Sequence, residues 1–324
     1  MKDQYGREID YIRISVTDRC NLRCKYCIPE CGIASVGHEN ILNFDEITKI
    51  VAECANLGIK KVKITGGEPL VRRELHSLVA RIKTTQGIEQ VTLTTNGIFL
   101  KEQIERLAEA GIDAINISLD TLDPAKFKKI TGFDALDKVL EAIHLCKNYP
   151  GIKLKLNVVT LADYNKNEIL DFAALAQHDD IDVRFIEMMP IGLGDGFEGY
   201  SQDYIKGIIE EKYGMLEGPL NQNYGNGPAV YYKIPGFKGK IGFISAISHQ
   251  FCDSCNRVRL TAEGLLKPCL QYAEGIDLKK AIREGGEPLD NLIRKGIFDK
   301  PKEHNFRSST IEGREQKLMS KIGG

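Results

Sequence analysis

The sequence predicts an α/β fold built on a parallel sheet, and three observations carry that expectation. Six short β-rich runs lie between Tyr11 and about Met189, amphipathic segments of helical period separate them, and the texture changes after Met189. The strand runs are 10–16 (DYIRISV), 61–65 (KVKIT), 90–95 (QVTLTT), 113–119 (DAINISL), 153–159 (KLKLNVV) and 181–187 (IDVRFIE). Between the first two, 44–57 places Ile47, Ile50, Val51 and Cys54 at helical spacing. Asn43, with Glu46 three residues later, supplies its N-cap and capping-box partner. Strands alternating with helices imply right-handed crossovers in either an open doubly wound sheet or a partial barrel. In both, ligands sit at the carboxyl ends of the strands. Residues 190–245, rich in Gly, Tyr and Asn, read as an α+β insertion or second subdomain. From about 286 the chain has two weak helical stretches and ends in Lys321-Ile322-Gly323-Gly324.

Composition narrows the function classes. The chain has 324 residues, 42% of them hydrophobic, enough for one large core with an appendage. Lys and Arg total 44 against 45 Asp and Glu, so no global field draws the protein to nucleic acid or anionic membrane. An anion site must therefore be a local pocket. No apolar run approaches a membrane span, and the polar N-terminus is unlike a signal peptide. With nine cysteines, that points to a reducing cytoplasm and metal ligation rather than disulfides. Cys54 and Cys146, each alone in a helical pattern, read as buried small hydrophobes.

Cys20, Cys24 and Cys27 stand as C-x3-C-x2-C in DRCNLRCKYC. Three thiolates can hold a [4Fe-4S] cube and leave one iron open, whereas electron carriers and structural zinc sites are closed by four ligands. Zinc is disfavoured by the spacing, and Cys31 is the residue that would close the site. Gly66-Gly67-Glu68-Pro69 follows the second strand: paired glycines admit a close backbone approach, and Glu68 suits an ammonium group. By itself that motif is an ordinary turn. Thr94-Thr95-Asn96-Gly97 follows the third strand, Ser118 ends the fourth, Lys155 lies in the fifth, and Met189 closes the sixth.

A second set, Cys252, Cys255 and Cys269, is spaced C-x2-C-x13-C. Spacing alone leaves zinc, with His249 as a fourth ligand, level with iron–sulfur. Arg257 and Arg259 share a side if the segment is extended, and two guanidiniums suit a polyanion such as a triphosphate.

The runs RISVTDRCNLRCKYC, ITGGEPL, TTNG, ISLD, RFIEMMP and FCDSCNRVRLTAEGLLKPC, with the terminal Gly-Gly, resemble the GTP 3′,8-cyclase family. That family belongs to the radical S-adenosylmethionine superfamily and acts in molybdenum cofactor biosynthesis. The resemblance implies a partial (β/α)6 TIM-like barrel over 1–189 and a C-terminal α+β region over 190–324 carrying a second cluster. It implies two [4Fe-4S] clusters, one on Cys20, Cys24 and Cys27 with S-adenosylmethionine on its open iron. The other would sit on Cys252, Cys255 and Cys269 and face the guanine of GTP. Tyr26, Gly67, Glu68, Ser118 and Met189 would contact the cofactor; Arg13, Lys63, Thr94, Lys155, Arg257, Val258 and Arg259 would bind GTP. Where the family pattern has Arg, this chain has Lys63, which keeps the charge and loses the fork.

The implied chemistry is reductive cleavage to a 5′-deoxyadenosyl radical, abstraction of the 3′-hydrogen of GTP, and attack of C3′ on C8. Arg13, Arg257, Arg259 and the tail residues Gly323 and Gly324 would serve that step. An external electron donor is required, and a homodimer is a further expectation. Two other readings remain: a peptide-modifying enzyme with an auxiliary cluster, and an electron-transfer or zinc-binding protein closed by Cys31 and His249.

Overall fold

The computed structural model describes residues 1–34, 36–220, 224–306 and 313–323. Its centre is six parallel strands, β1 (Tyr11–Ser15), β2 (Lys61–Thr65), β3 (Gln90–Thr95), β4 (Ala114–Ser118), β5 (Lys153–Val159) and β6 (Asp182–Ile186). Each pairs with the next in sequence. A doubly wound sheet reverses its strand order at a switch point; this one never does, so every crossover falls on the same face. The result is a partial barrel, and the alternative left open by the strand pattern is thereby decided.

Helices α1 (Phe44–Asn56), α2 (Leu75–Lys83), α3 (Ile104–Glu109), α4 (Pro124–Thr131), α5 (Leu136–Cys146) and α6 (Ile169–His178) fill those crossovers. The capping box of α1 forms as its sequence predicts: Asn43 Oδ1 accepts from Glu46 N and Glu46 Oε2 from Asn43 N, both at 2.8 Å. Such a cap contributes about 1 kcal/mol. One face of each strand is apolar and joins the main core: Ile12, Ile14, Val62, Ile64, Val91, Leu93, Ile115, Ile117, Leu154, Leu156, Val183 and Phe185 are all buried. Cys54 and Cys146 lie in the same core.

The rest of the chain extends this sheet at both edges. After α7 (Gln202–Tyr213) come β7 (Val230–Tyr232) and β8 (Ile241–Ile244), and β8 pairs parallel with β6. Then β9 (Arg257–Leu260) pairs parallel with β1, followed by β10 (Leu265–Lys267) and β11 (Ile276–Asp277). The order is β11-β10-β9-β1-β2-β3-β4-β5-β6-β8-β7. Residues 190–245, without steady alternation in sequence, thus add two strands to the main sheet. Helices α8 (Leu278–Glu284) and α9 (Leu289–Phe298) follow, and α10 (Met319–Ile322) stands just before the C-terminus. A small separate apolar cluster joins Ile191, Ala246, Phe306 and Ile322, with Met189, Phe251, Leu270 and Met319 packed on it.

Candidate active site

The other face of the strands is polar. Arg13 in β1, Lys63 in β2, Thr92 and Thr94 in β3, Asn116 and Ser118 in β4, Lys155 and Asn157 in β5, and Arg184 in β6 all line one cavity of ≈ 640 Å³. Every one alternates with an apolar residue turned to the helices, as strand period requires. Arg257 and Arg259 of β9 continue the row, since Arg13 lies beside Arg259 in register. Val258 between them is fully buried in the core and does not line the cavity.

The two cysteine sets occupy opposite ends of this cavity. Cys20, Cys24 and Cys27 follow β1, at the carboxyl end of the barrel. Cys252 and Cys255 precede β9, which runs parallel to β1, and Cys269 lies where antiparallel β10 has returned to that same end. All six are free thiols and all line the cavity. Within each set the thiols interact electrostatically with one another. Burial pushes Cys20 up to about 11 and Cys27 to about 12, a cost that iron removes by deprotonating its ligands. Cys255 differs: burial alone would raise it, but Arg257 and Lys300 outweigh burial and bring it to about 7. Backbone N–H groups of Leu22 and His304 donate to Cys20 Sγ and Cys252 Sγ, each at 3.4 Å, as around iron–sulfur sulfurs. Among the described residues no three His, Cys, Asp or Glu side chains converge as on a single ion. A cube, whose thiolates each bind a different iron, asks for no such convergence. Each set thus offers three free thiols, the donor chemistry that an open cluster takes. Cys31 is exposed with its Sγ 3.7 Å from Gly32 O, and His249 faces Ser248 and Asp203, so neither lines the cavity.

At the carboxyl end Gly66 and Gly67 pack directly on the first cysteine loop. A Cβ on Gly67 would stand 2.4 Å from Arg19 O, and Gly67 N donates to Thr17 O at 2.8 Å. Glu68 is buried, and its carboxylate accepts from Leu70 N (2.9 Å), Thr95 Oγ1 (2.7 Å) and Asn96 N (2.6 Å). It ties the end of β2 to the end of β3. Burial still outweighs those bonds and raises its carboxyl to about 7. Tyr26 donates to Asp120 Oδ2 at 2.6 Å, and Asp120 Oδ1 accepts from Val159 N at 2.9 Å, which ties the cysteine loop to β5. Ser118 and Met189 border the same end.

The middle of the cavity is strongly cationic. Burial first, then the neighbouring charges of Arg184, Arg13, Lys155 and Arg257, push Lys63 well below the usual lysine range. Arg259 is likewise depressed by burial and then by Arg13 and Arg257. Lys155 donates to Tyr224 O (2.7 Å) and Tyr231 Oη (3.1 Å), with Asp182 at 3.5 Å. Lys300 donates to Arg257 O and Pro268 O. Buried like charges persist only where a counter-charge is expected, so this region is built for a polyanion. The chain carries a net charge of −1, so the positive field is local.

The tail reaches this site. Arg259 Nη1 donates to Gly323 O at 2.8 Å, Ile322 is buried, and Gly323 has φ +76 with Ser15 Cβ 2.9 Å from where its own Cβ would stand. Gly324 lies outside the described residues.

Sequence reasoning missed Arg184, Asn116, Asn157, Lys300 and His304, all on the cavity wall. The first three were within reach, since they fall on the polar half of the alternation in their strands.

A family profile described as Radical SAM superfamily matches residues 14–176, and one described as Molybdenum Cofactor Synthesis C matches residues 181–306. A GTP 3′,8-cyclase of Clostridium perfringens (strain SM101 / Type A) is 47% identical over 326 residues, covering 100% of both chains. That of Alkaliphilus metalliredigens (strain QYMF) is 44% identical over 327 residues, again covering 100% of both. Among solved structures, Streptococcus suis SuiB bound to S-adenosylmethionine matches with a TM-score of 0.62 at 16% identity, covering 89% of this chain and 68% of that one. That likeness speaks for the fold.

Proposed function

From the premise that the chain belongs to the GTP 3′,8-cyclase family of the radical S-adenosylmethionine superfamily, we propose how its residues divide the work. The protein is a lyase that cyclises GTP to (8S)-3′,8-cyclo-7,8-dihydroguanosine 5′-triphosphate, the first step of molybdenum cofactor biosynthesis. Similarity to a GTP 3′,8-cyclase, 47% identical over the full length of both chains, is the observation that carries this conclusion. A cavity with three thiols at each end and cations between them supports it.

Cys20, Cys24 and Cys27 would hold the iron–sulfur cluster of the S-adenosylmethionine site, which when bound would supply hydrogen-atom abstraction from C3′ of GTP. Tyr26, Gly67, Ser118 and Met189 contact the cofactor, and Glu68 holds the loop that does so. Cys252, Cys255 and Cys269 would hold a second [4Fe-4S] cluster. Arg13, Lys63, Thr94, Lys155, Arg257 and Arg259 bind the nucleotide, together with Arg184. Because C3′ and C8 belong to one molecule, pinning the triphosphate and the base together converts the residue geometry into rate. Gly323 completes that arrangement through Arg259, and Gly324, outside the described residues, is assigned to the same step. Residues 1–189 thus carry the radical half and 190–324 the half that closes on the substrate. The electron donor is external and the protein works in the cytoplasm. No helix among the described residues is long and apolar enough to cross a membrane.

The test is anaerobic reconstitution with iron and sulfide, then incubation with GTP, S-adenosylmethionine and dithionite. Cyclic nucleotide product together with 5′-deoxyadenosine is expected. Deoxyadenosine formed equally with and without GTP, and no cyclic product, would refute the assignment.

A further inference from the structure

Lys63 pairs in register with Arg13 of β1 and Thr92 of β3, borders the cavity and is 7% exposed. The charges acting on it are Arg13, Lys155 of β5, Arg184 of β6 and Arg257 of β9, and all are positive. Arg259 of β9 is turned to Gly323 O, and the Tyr11 hydroxyl is hydrogen-bonded to Arg13. Thr92, Thr94 and Asn116 of β3 and β4, and Met319 and Ser320 of the tail, are uncharged. The carboxylates that approach the cavity are engaged elsewhere. Asp182 Oδ2 stands 3.5 Å from Lys155, Asp10 Oδ2 stands 2.7 Å from Lys61, and Glu68 holds three donors at the carboxyl end. Glu303, also on the wall, is exposed. The other buried lysines of the wall, Lys155 and Lys300, each donate to two oxygens; Lys63 has no acceptor among the described residues.

A buried charge without a partner, set among like charges, is relieved most easily by giving up its proton. A guanidinium cannot do so, whereas an ammonium can. Burial and the four surrounding cations all push Lys63 that way. A bound polyanion reverses the balance, because an opposite charge within about 4–6 Å favours the ammonium form. We propose that Lys63 Nζ is an uncharged amine in the nucleotide-free protein and takes one proton from solvent when the triphosphate binds. The proposal rests on the GTP reading above and deepens it: nucleotide and proton bind together. By linkage, GTP affinity then falls as pH rises.

The experiment is calorimetric titration of GTP into the anaerobically reconstituted protein, and into Lys63→Arg and Lys63→Met, in two buffers of different ionisation heat. It is run at about pH 7.5 and 8.5, where the terminal phosphate is already ionised. The unaltered protein should take up about one proton per GTP bound, and its affinity should fall by up to about tenfold across that unit of pH. Lys63→Arg carries a permanent charge, so it should take up none and keep its affinity across the same range. Lys63→Met keeps the stem without the amine; it should take up none and bind GTP about tenfold more weakly, or worse. A binding heat independent of buffer in the unaltered protein would overturn the proposal, because Lys63 would then hold one charge state throughout. Equal uptake in Lys63→Arg would also overturn it, by assigning the proton to another group. If the unaltered protein binds no GTP at either pH, the GTP reading itself fails and the proposal with it, a result unlike binding without proton uptake.

Discussion

Glu68 is a carboxyl with three donors on it that nevertheless sits at about 7, because burial wins. Its folded value lies above the unfolded one, so the stability it contributes is fully present below about 4.5 and is lost as pH rises through about 7. The shift corresponds to roughly 3 kcal/mol. Urea denaturation of the iron-free protein at pH 5 and pH 7.5 should show this loss. Glu68→Gln should lack it and be less stable at pH 5 by about 1–3 kcal/mol, since one of the three donors loses its acceptor. A difference between the two proteins that is independent of pH would refute the assignment. The cysteines give a second test. Replacing Cys20, Cys24 and Cys27 by Ala should leave roughly four of about eight irons and abolish cleavage of S-adenosylmethionine. Exposed Cys31→Ala should change neither.

The strands show how one alternation builds both core and site. Ile12, Ile14 and Val258 face the helices while Arg13, Arg257 and Arg259 face the cavity, so a one-residue slip in β1 or β9 would exchange charge for core. Arg257 is the clearest probe of that polar row: it also stands over the Phe251 ring, with its Cζ 5.0 Å from the centroid. Arg257→Ala should weaken GTP by on the order of 2–4 kcal/mol and leave guanosine nearly unaffected. Equal losses for the two ligands would remove phosphate recognition from this residue. All six barrel strands and α1 were legible in the sequence, because periods of two and 3.6 are local signals. So were the two thiol sets. What was not legible depends on pairing between distant segments. β8 and β9 are recognisable as part of the sheet only once they meet β6 and β1. Likewise α8, a seven-residue helix, is fixed to α1 by Arg283 Nε donating to Glu46 Oε1 at 2.6 Å. His304 carries no spacing signal toward Cys252, 52 residues earlier.

A nearly neutral chain concentrates positive charge inside one cavity, and the two ends of the polypeptide close it. Near the N-terminus, Arg7 donates to Cys252 O (2.8 Å) and to the backbone of Pro301 and Lys302, bracing the second cysteine loop. At the C-terminus, Lys267 and Glu315 form a buried ion pair that anchors the tail to β10, one strand away from Arg259. Beyond it, Met319 and Ile322 pack with Phe306 and Met189, and Gly323 reaches Arg259. Terminal glycines are ordinarily frayed, and removing them ordinarily changes nothing. Here the anchoring residues all precede Gly323, so truncation after Ile322 keeps the buried pair and the apolar cluster but takes away the acceptor for Arg259. Iron content and melting temperature should therefore stay within error of the full chain, and GTP affinity should fall only slightly. Formation of cyclic product should fall sharply, because Arg259 is released at the step where substrate and guanidinium must hold one geometry. Gly323→Ala should move in the same direction, since its φ of +76 and the nearby Ser15 Cβ oppose a methyl group. A truncated protein that makes product at the full-length rate would return Gly323 and Gly324 to the status of an ordinary frayed end.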